Sequence, residues 1–114
     1  MKFERFEDII AWQKSKELVL SIYSCFKEGL DHSFKNQIQR ASVSIMNNIA
    51  EGYERKTNKE FTRYLFMAKG SCAEVRSMLY LALELKYINR LDFDKNYEMA
   101  LEISKIISGL IKTL

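Results

Sequence analysis

The chain predicts an all-α fold, one domain over residues 1–114 built as an antiparallel up-down-up-down four-helix bundle. Three observations carry that reading. Proline is absent and glycine occurs only four times in 114 residues, whereas a β-sandwich, a barrel or a doubly wound sheet needs many tight turns made from those residues. Apolar residues recur every three or four positions through four long stretches, the period of a helix. Short polar turns separate the stretches, and short connections favour antiparallel neighbours. Hydrophobic residues make up 47% and charged residues 29%, a globular balance, and a chain of this size buries about two-thirds of its unfolded surface without needing a disulfide or a metal.

The four helices are expected near 7–27, 34–54, 57–87 and 93–113. In the first, Ile10, Leu18, Ile22 and Phe26 recur at helical spacing with Trp12 and Val19 beside them. The turn Gly29–Ser33 follows, with Asp31 or Ser33 as the cap of the second helix. There Phe34, Ile38, Ala41, Ser42, Ile45, Ile49 and Gly52 make one stripe, and Val43, Met46, Ala50 and Tyr53 a second, about 120° around. Two apolar stripes predict two sets of neighbours, since packing on one neighbour needs only one. Thr57-Asn-Lys-Glu60 reads as a capping box. Phe61, Leu65, Ala68, Cys72, Val75, Leu79 and Ala82 then step by four and three as a bundle seam, widened by Tyr64, Met67, Met78 and Leu85. Residues 78–83, Met-Leu-Tyr-Leu-Ala-Leu, are apolar on every side, which predicts cover all round. Asp92 or Asp94 is expected to cap the last helix, with Tyr97, Ala100, Ser104, Ile107, Ile111 and Leu114 as its seam and Met99, Ile103, Ile106 and Leu110 as a second row.

Catalytic patterns are missing. The one histidine, His32, falls in a predicted turn, Cys25 and Cys72 sit among apolar positions as core thiols, and the glycines are too scattered for a phosphate loop. The chain therefore reads as no enzyme, with no cofactor and no metal. The N-terminus lacks the basic start and apolar core of a signal peptide, no apolar run reaches the roughly 18 residues of a membrane span, and two lone cysteines suit a reducing compartment. A cytoplasmic protein with no membrane contact is expected.

Net charge is +3, and its distribution says more. Residues 35–90 hold ten basic and five acidic groups, while the segments on either side are each net −1. Such asymmetry marks a candidate polyanion surface, with solvated helix faces as the plainer account. Arg55, Lys56, Lys59 and Arg63 surround the turn into the third helix, with Lys69 further along it and Arg40 on the preceding helix; Glu54 and Glu60 lie in the same turn and oppose them. Val43, Met46, Ala50, Tyr53, Gly70 and Leu81 are candidate contacts in a homo-oligomer. Gln37, Ser44, Asn48, Glu51 and Glu74 border the apolar stripes and are expected to form a structural polar network.

The run Gln37-Ile-Gln-Arg-Ala-Ser-Val-Ser-Ile-Met-Asn-Asn-Ile-Ala-Glu-Gly52 resembles the signature of the four-helix bundle proteins encoded in 23S ribosomal RNA intervening sequences, which include relatives of the accessory variability protein of diversity-generating retroelements. Arg55, Glu60–Leu65, Ala68–Ser71 with Glu74, and Phe6–Gln13 match the same pattern. Lys27 stands where the family usually has a proline. The resemblance implies an antiparallel bundle that assembles as a homopentamer, without known catalysis. It also implies a basic surface that in the retroelement relative serves nucleic acid, RNA or DNA, and a reverse transcriptase. A structural or protein-interaction scaffold with no nucleic-acid role is the alternative.

Overall fold

The computed structural model describes residues 3–26 and 31–114. A short 3-10 turn, Phe6–Asp8, precedes helices α1 (Ile10–Cys25), α2 (His32–Tyr53), α3 (Asn58–Glu84) and α4 (Arg90–Lys112). Each helix packs on the next in sequence, and α4 closes back on α1. That is the expected up-down bundle, 43 Å long and about 20 Å across; among the described residues there is no strand.

The first helix starts later than its periodicity suggests. Ile9 is extended (φ −76°, ψ 120°) and donates its backbone N–H to Phe6 O at 3.0 Å. Phe6 stacks edge-on against Trp12 at 5.3 Å, and Gln13 Nε2 donates to Glu7 O at 2.9 Å. Residues 7–9 are therefore an entry turn, and Ile9 with Ala11, not Ile10, begins the buried row that continues through Ser15, Leu18, Ile22 and Phe26. Ser15 tolerates burial because its hydroxyl donates to Ala11 O at 2.6 Å. The expected end at Lys27 and the glycine of the following turn lie outside the described residues.

In α2 the buried residues are those of the first stripe, Phe34 through Gly52. Asp31 is the cap, its carboxylate accepting from Ser33 N at 2.9 Å and Phe34 N at 3.3 Å. Helix α3 buries its whole predicted seam. Its capping box is only half formed: Thr57 Oγ1 accepts from Glu60 N at 3.1 Å, but the Glu60 carboxylate turns to Arg63 (3.2 and 3.3 Å) rather than back to the cap. Of the residues expected to widen the seam, Tyr64 and Met78 are buried, whereas Met67 and Leu85 are exposed. Tyr80 and Leu81 are half exposed as well, so the single bundle leaves residues 78–83 uncovered on one side.

Helix α3 stops at Glu84 because Lys86 takes a left-handed conformation (φ 63°). Tyr87 N–H reaches back to Ala82 O at 2.8 Å and Lys86 N–H to Leu83 O at 3.1 Å, the paired bonds of a Schellman ending. Helix α4 is capped by Asn89, whose side chain accepts from Asp92 N at 2.7 Å. Asp92 sits inside the first turn, where its charge favours the helix dipole, and Asp94 is drawn to Arg90. The buried face of α4 lies between the two predicted rows: Phe93, Asn96 and Ile103 join Ala100, Ser104 and Ile107, while Tyr97, Ile111 and Leu114 are only partly covered. A helix that touches both α1 and α3 turns the boundary between its rows inward.

Candidate nucleic-acid and assembly surfaces

The predicted polar residues gather where α2 meets α3. Asn48 Nδ2 donates to Ser44 O at 2.9 Å and Ser44 Oγ at 3.0 Å, and Ser71 on α3 donates to the same hydroxyl at 3.0 Å. Nearer the start of α2, Gln37 Nε2 donates to the Glu74 carboxylate at 3.4 Å. Glu51 lies beside this line but is exposed and joins none of these bonds. Ser71 completes the network and was not singled out from sequence for that role. The signal was present: Tyr64, Ser71 and Met78 are seven apart and share the face of α3 turned to α2. An open groove of about 840 Å³ runs along this junction, lined by Tyr23, Asn36, Gln37, Arg40, Ser44 and Glu74.

The closeness of α2 and α3 at their shared turn depends on Gly52. A β-carbon there would lie 2.5 Å from Tyr64 Cβ and 3.1 Å from Phe61 Cδ1. Tyr64, thus fixed, organises two of the candidate cations. The Arg55 guanidinium donates to its hydroxyl and lies 4.8 Å from its ring centre, and the Arg63 guanidinium lies 4.9 Å from the same centre. Hydrogen bonding to Arg63 lowers the Glu60 carboxyl below its ordinary range, and Glu60 in turn raises Arg63. Lys56 and Lys59 are exposed and make no ion pair among the described residues. The six candidate cations therefore do not make one compact patch. Arg55, Lys56, Lys59 and Arg63 cluster at the turn. Arg40 lies on α2 thirteen residues, about 20 Å, before its end at Tyr53, and Lys69 crosses to α4, where its ammonium meets Ser108 Oγ.

The candidate contact residues fall in different places. Val43, Met46 and Ala50 are half-buried on α2. Tyr53 is committed within the chain, its hydroxyl donating to Phe3 O at 2.5 Å and its ring edge-on to Phe61 at 5.9 Å. Gly70 and Leu81 face outward on α3, with open space over Gly70. Among the described residues the most exposed apolar side chains are Leu91 (77%), Leu20 (63%) and Phe66 (58%), which fall outside every seam and so are not marked by the stripes.

Burial pushes the Cys72 thiol up to about 12, which leaves it protonated at neutral pH. Among the described residues no three His, Cys, Asp or Glu side chains come together as a metal site, and no helix is long and apolar enough to cross a membrane.

A family model described as 23S rRNA-intervening sequence protein matches residues 7–109. The chain is also similar to the crystal structure of a protein of unknown function from the S23 ribosomal protein family of Bacteroides thetaiotaomicron. Identity is 26%, the alignment covers 90% of this chain and 99% of that one, and the TM-score is 0.85. Comparison with curated proteins gives no match.

Proposed function

The chain belongs to the 23S rRNA-intervening sequence protein family, and from that premise we propose that it is a non-enzymatic, oligomeric bundle protein of the cytoplasm that binds nucleic acid through a basic surface. The observation that carries the reading is the set of cations the fold leaves unpaired at the α2–α3 turn. Lys56 and Lys59 project there beside Arg55 and Arg63, in a segment with twice as many basic as acidic groups. Lysine and arginine on phosphates give affinity that falls steeply with salt and discriminates little between sequences. A ring of copies, a pentamer by resemblance to the retroelement relatives, repeats each weak patch and makes binding multivalent. A reverse transcriptase as partner belongs to the same resemblance.

The test is fluorescence anisotropy with a labelled RNA across a salt series. The reading expects binding at low salt that weakens as salt rises. Replacing Lys56, Lys59 and Arg63 together with glutamine is expected to weaken binding and leave the assembly intact. Absence of any RNA or DNA affinity at low salt sinks it. The second reading, a protein-interaction scaffold, then takes its place; the outward apolar side chains Leu20, Phe66 and Leu91 favour it.

A further inference from the structure

A second line of cations runs along α3 beyond the turn cluster. On α3, Phe66, Lys69, Ala73, Arg76 and Tyr80 follow one another by three and four, so they share one face. Two contacts set α4 alongside that face. Lys69 meets Ser108, and the Tyr80 ring packs 5.3 Å from Tyr97. The chain advances eleven residues on α3 and retreats eleven on α4 between them, as antiparallel helices in register must. Lys105 and Lys112 stand one turn to either side of Ser108 on α4 and are exposed. Lys69, Arg76, Lys105 and Lys112 thus stand along the junction of α3 and α4, the α3–α4 trough, and Ala73, exposed between Lys69 and Arg76, leaves the α3 side of it without a bulky side chain.

None of the four is ion-paired among the described residues. Of the α4 carboxylates nearest them in sequence, Glu102 is drawn to Lys14 at 3.3 Å, while Glu98, seven residues before Lys105 and on its face, is exposed and makes no ion pair among the described residues, an acidic group at the Tyr80 end that opposes the cations. Arg76 Nε is buried with no hydrogen-bond partner, a donor the bundle does not use. At the two ends of the trough stand half-exposed aromatic rings, Phe66 at 58% exposure and Tyr80 at 54%, the latter packed on Phe93 and Tyr97 along one side only. Cations seven residues apart, about 10 Å along a helix, with an exposed ring beyond each end, suit a strand whose phosphates are followed by charge and whose bases are free to stack.

We propose that the α3–α4 trough is a track for single-stranded nucleic acid, with Lys69, Arg76, Lys105 and Lys112 on the phosphodiester backbone and Phe66 and Tyr80 stacking unpaired bases. This deepens the nucleic-acid reading and rests on it. The probe is a labelled 20-nucleotide oligouridylate, with a duplex RNA of the same length for comparison. The parent protein is expected to prefer the single strand. Lys105→Gln with Lys112→Gln, both exposed and outside the core, is expected to reduce the slope of log affinity against log salt by about 1.4. Phe66→Gln is expected to lower single-strand affinity about fivefold or more and leave duplex affinity unchanged. Circular dichroism checks that both variants fold. If the parent binds and the double lysine variant keeps its slope while the Lys56, Lys59, Arg63 variant loses affinity, the trough is wrong and the turn alone carries the function. Equal affinity for duplex and single strand also overturns it, since a duplex hides the base faces. If the parent binds neither probe at any salt, the nucleic-acid reading fails, and this proposal with it.

Discussion

A methyl group at position 52 has nowhere to go. Its β-carbon would sit 2.5 Å from that of Tyr64, on the backbone end of a side chain that cannot swing aside. Gly52→Ala gains helix propensity worth about 1 kcal/mol, but relieving the clash means prising α2 from α3, and overpacking of this kind costs about 1–3 kcal/mol. The expected outcome is net destabilisation, read as a lower midpoint in urea. Lys86 is the opposite case. It holds φ 63° just past the end of α3, where a β-carbon is penalised and glycine is at home. Lys86→Gly is expected to raise stability by about 1 kcal/mol, with the same denaturation experiment as the check. Glu60 adds a dependence on pH. Its carboxyl is lowered by Arg63, so its contribution is present above the ordinary carboxylate range and lost as pH falls through its folded value. Glu60→Gln is expected to flatten that acid limb slightly, because the pair is open to solvent.

Among the elements, the buried seams of α2 and α3 were legible residue by residue, and the starts of α1 and α4 were not. A seam such as Phe61 to Ala82 repeats its signal seven times, so one exception does not blur it. A cap is a single residue chosen among neighbours with the same chemistry. Asn89, Asp92 and Asp94 can each cap a helix, and the structure selects Asn89 because the preceding turn places its side chain beneath Asp92 N. Asn89→Ala is expected to cost about 1 kcal/mol, and Asp94→Ala, at an exposed pair with Arg90, much less; paired thermal melts distinguish them. Periodicity also misread the start of α1, where Ile9 and Ile10 are adjacent and only the entry turn decides which one faces inward. For the candidate surfaces, sequence spacing placed the turn cations together correctly. It did not reveal that Tyr64 holds Arg55 and Arg63, because spacing does not say where a guanidinium lies over a ring, or that Ser71 completes the α2–α3 line, because that bond joins two helices.

For the whole molecule, the open question is what covers the apolar side chains left outside. Leu81 and Met67, half exposed on α3, and Val43, Met46 and Ala50, half-buried on α2, keep part of their apolar surface outside the bundle. Light scattering at micromolar concentration is expected to give a mass several times the 13.4 kDa of one chain. Leu81→Glu is expected to shift that mass toward the monomer without loss of helix. A monomeric parent would count against assembly through these faces.

The tight join of α2 to α3 also bears on how fast the molecule forms. Only residues 54–57 separate the two helices, so closing that hairpin costs little chain entropy, whereas α1 must find α4 across most of the sequence. The hairpin, zipped from Gly52 and Tyr64 toward Ser44 and Ser71, is the natural nucleus, with the α1–α4 contact made late. Ile45→Val within the hairpin is then expected to slow refolding. Ile103→Val on α4, of comparable cost at about 1 kcal/mol, is expected mainly to hasten unfolding, a difference that stopped-flow mixing in both directions resolves.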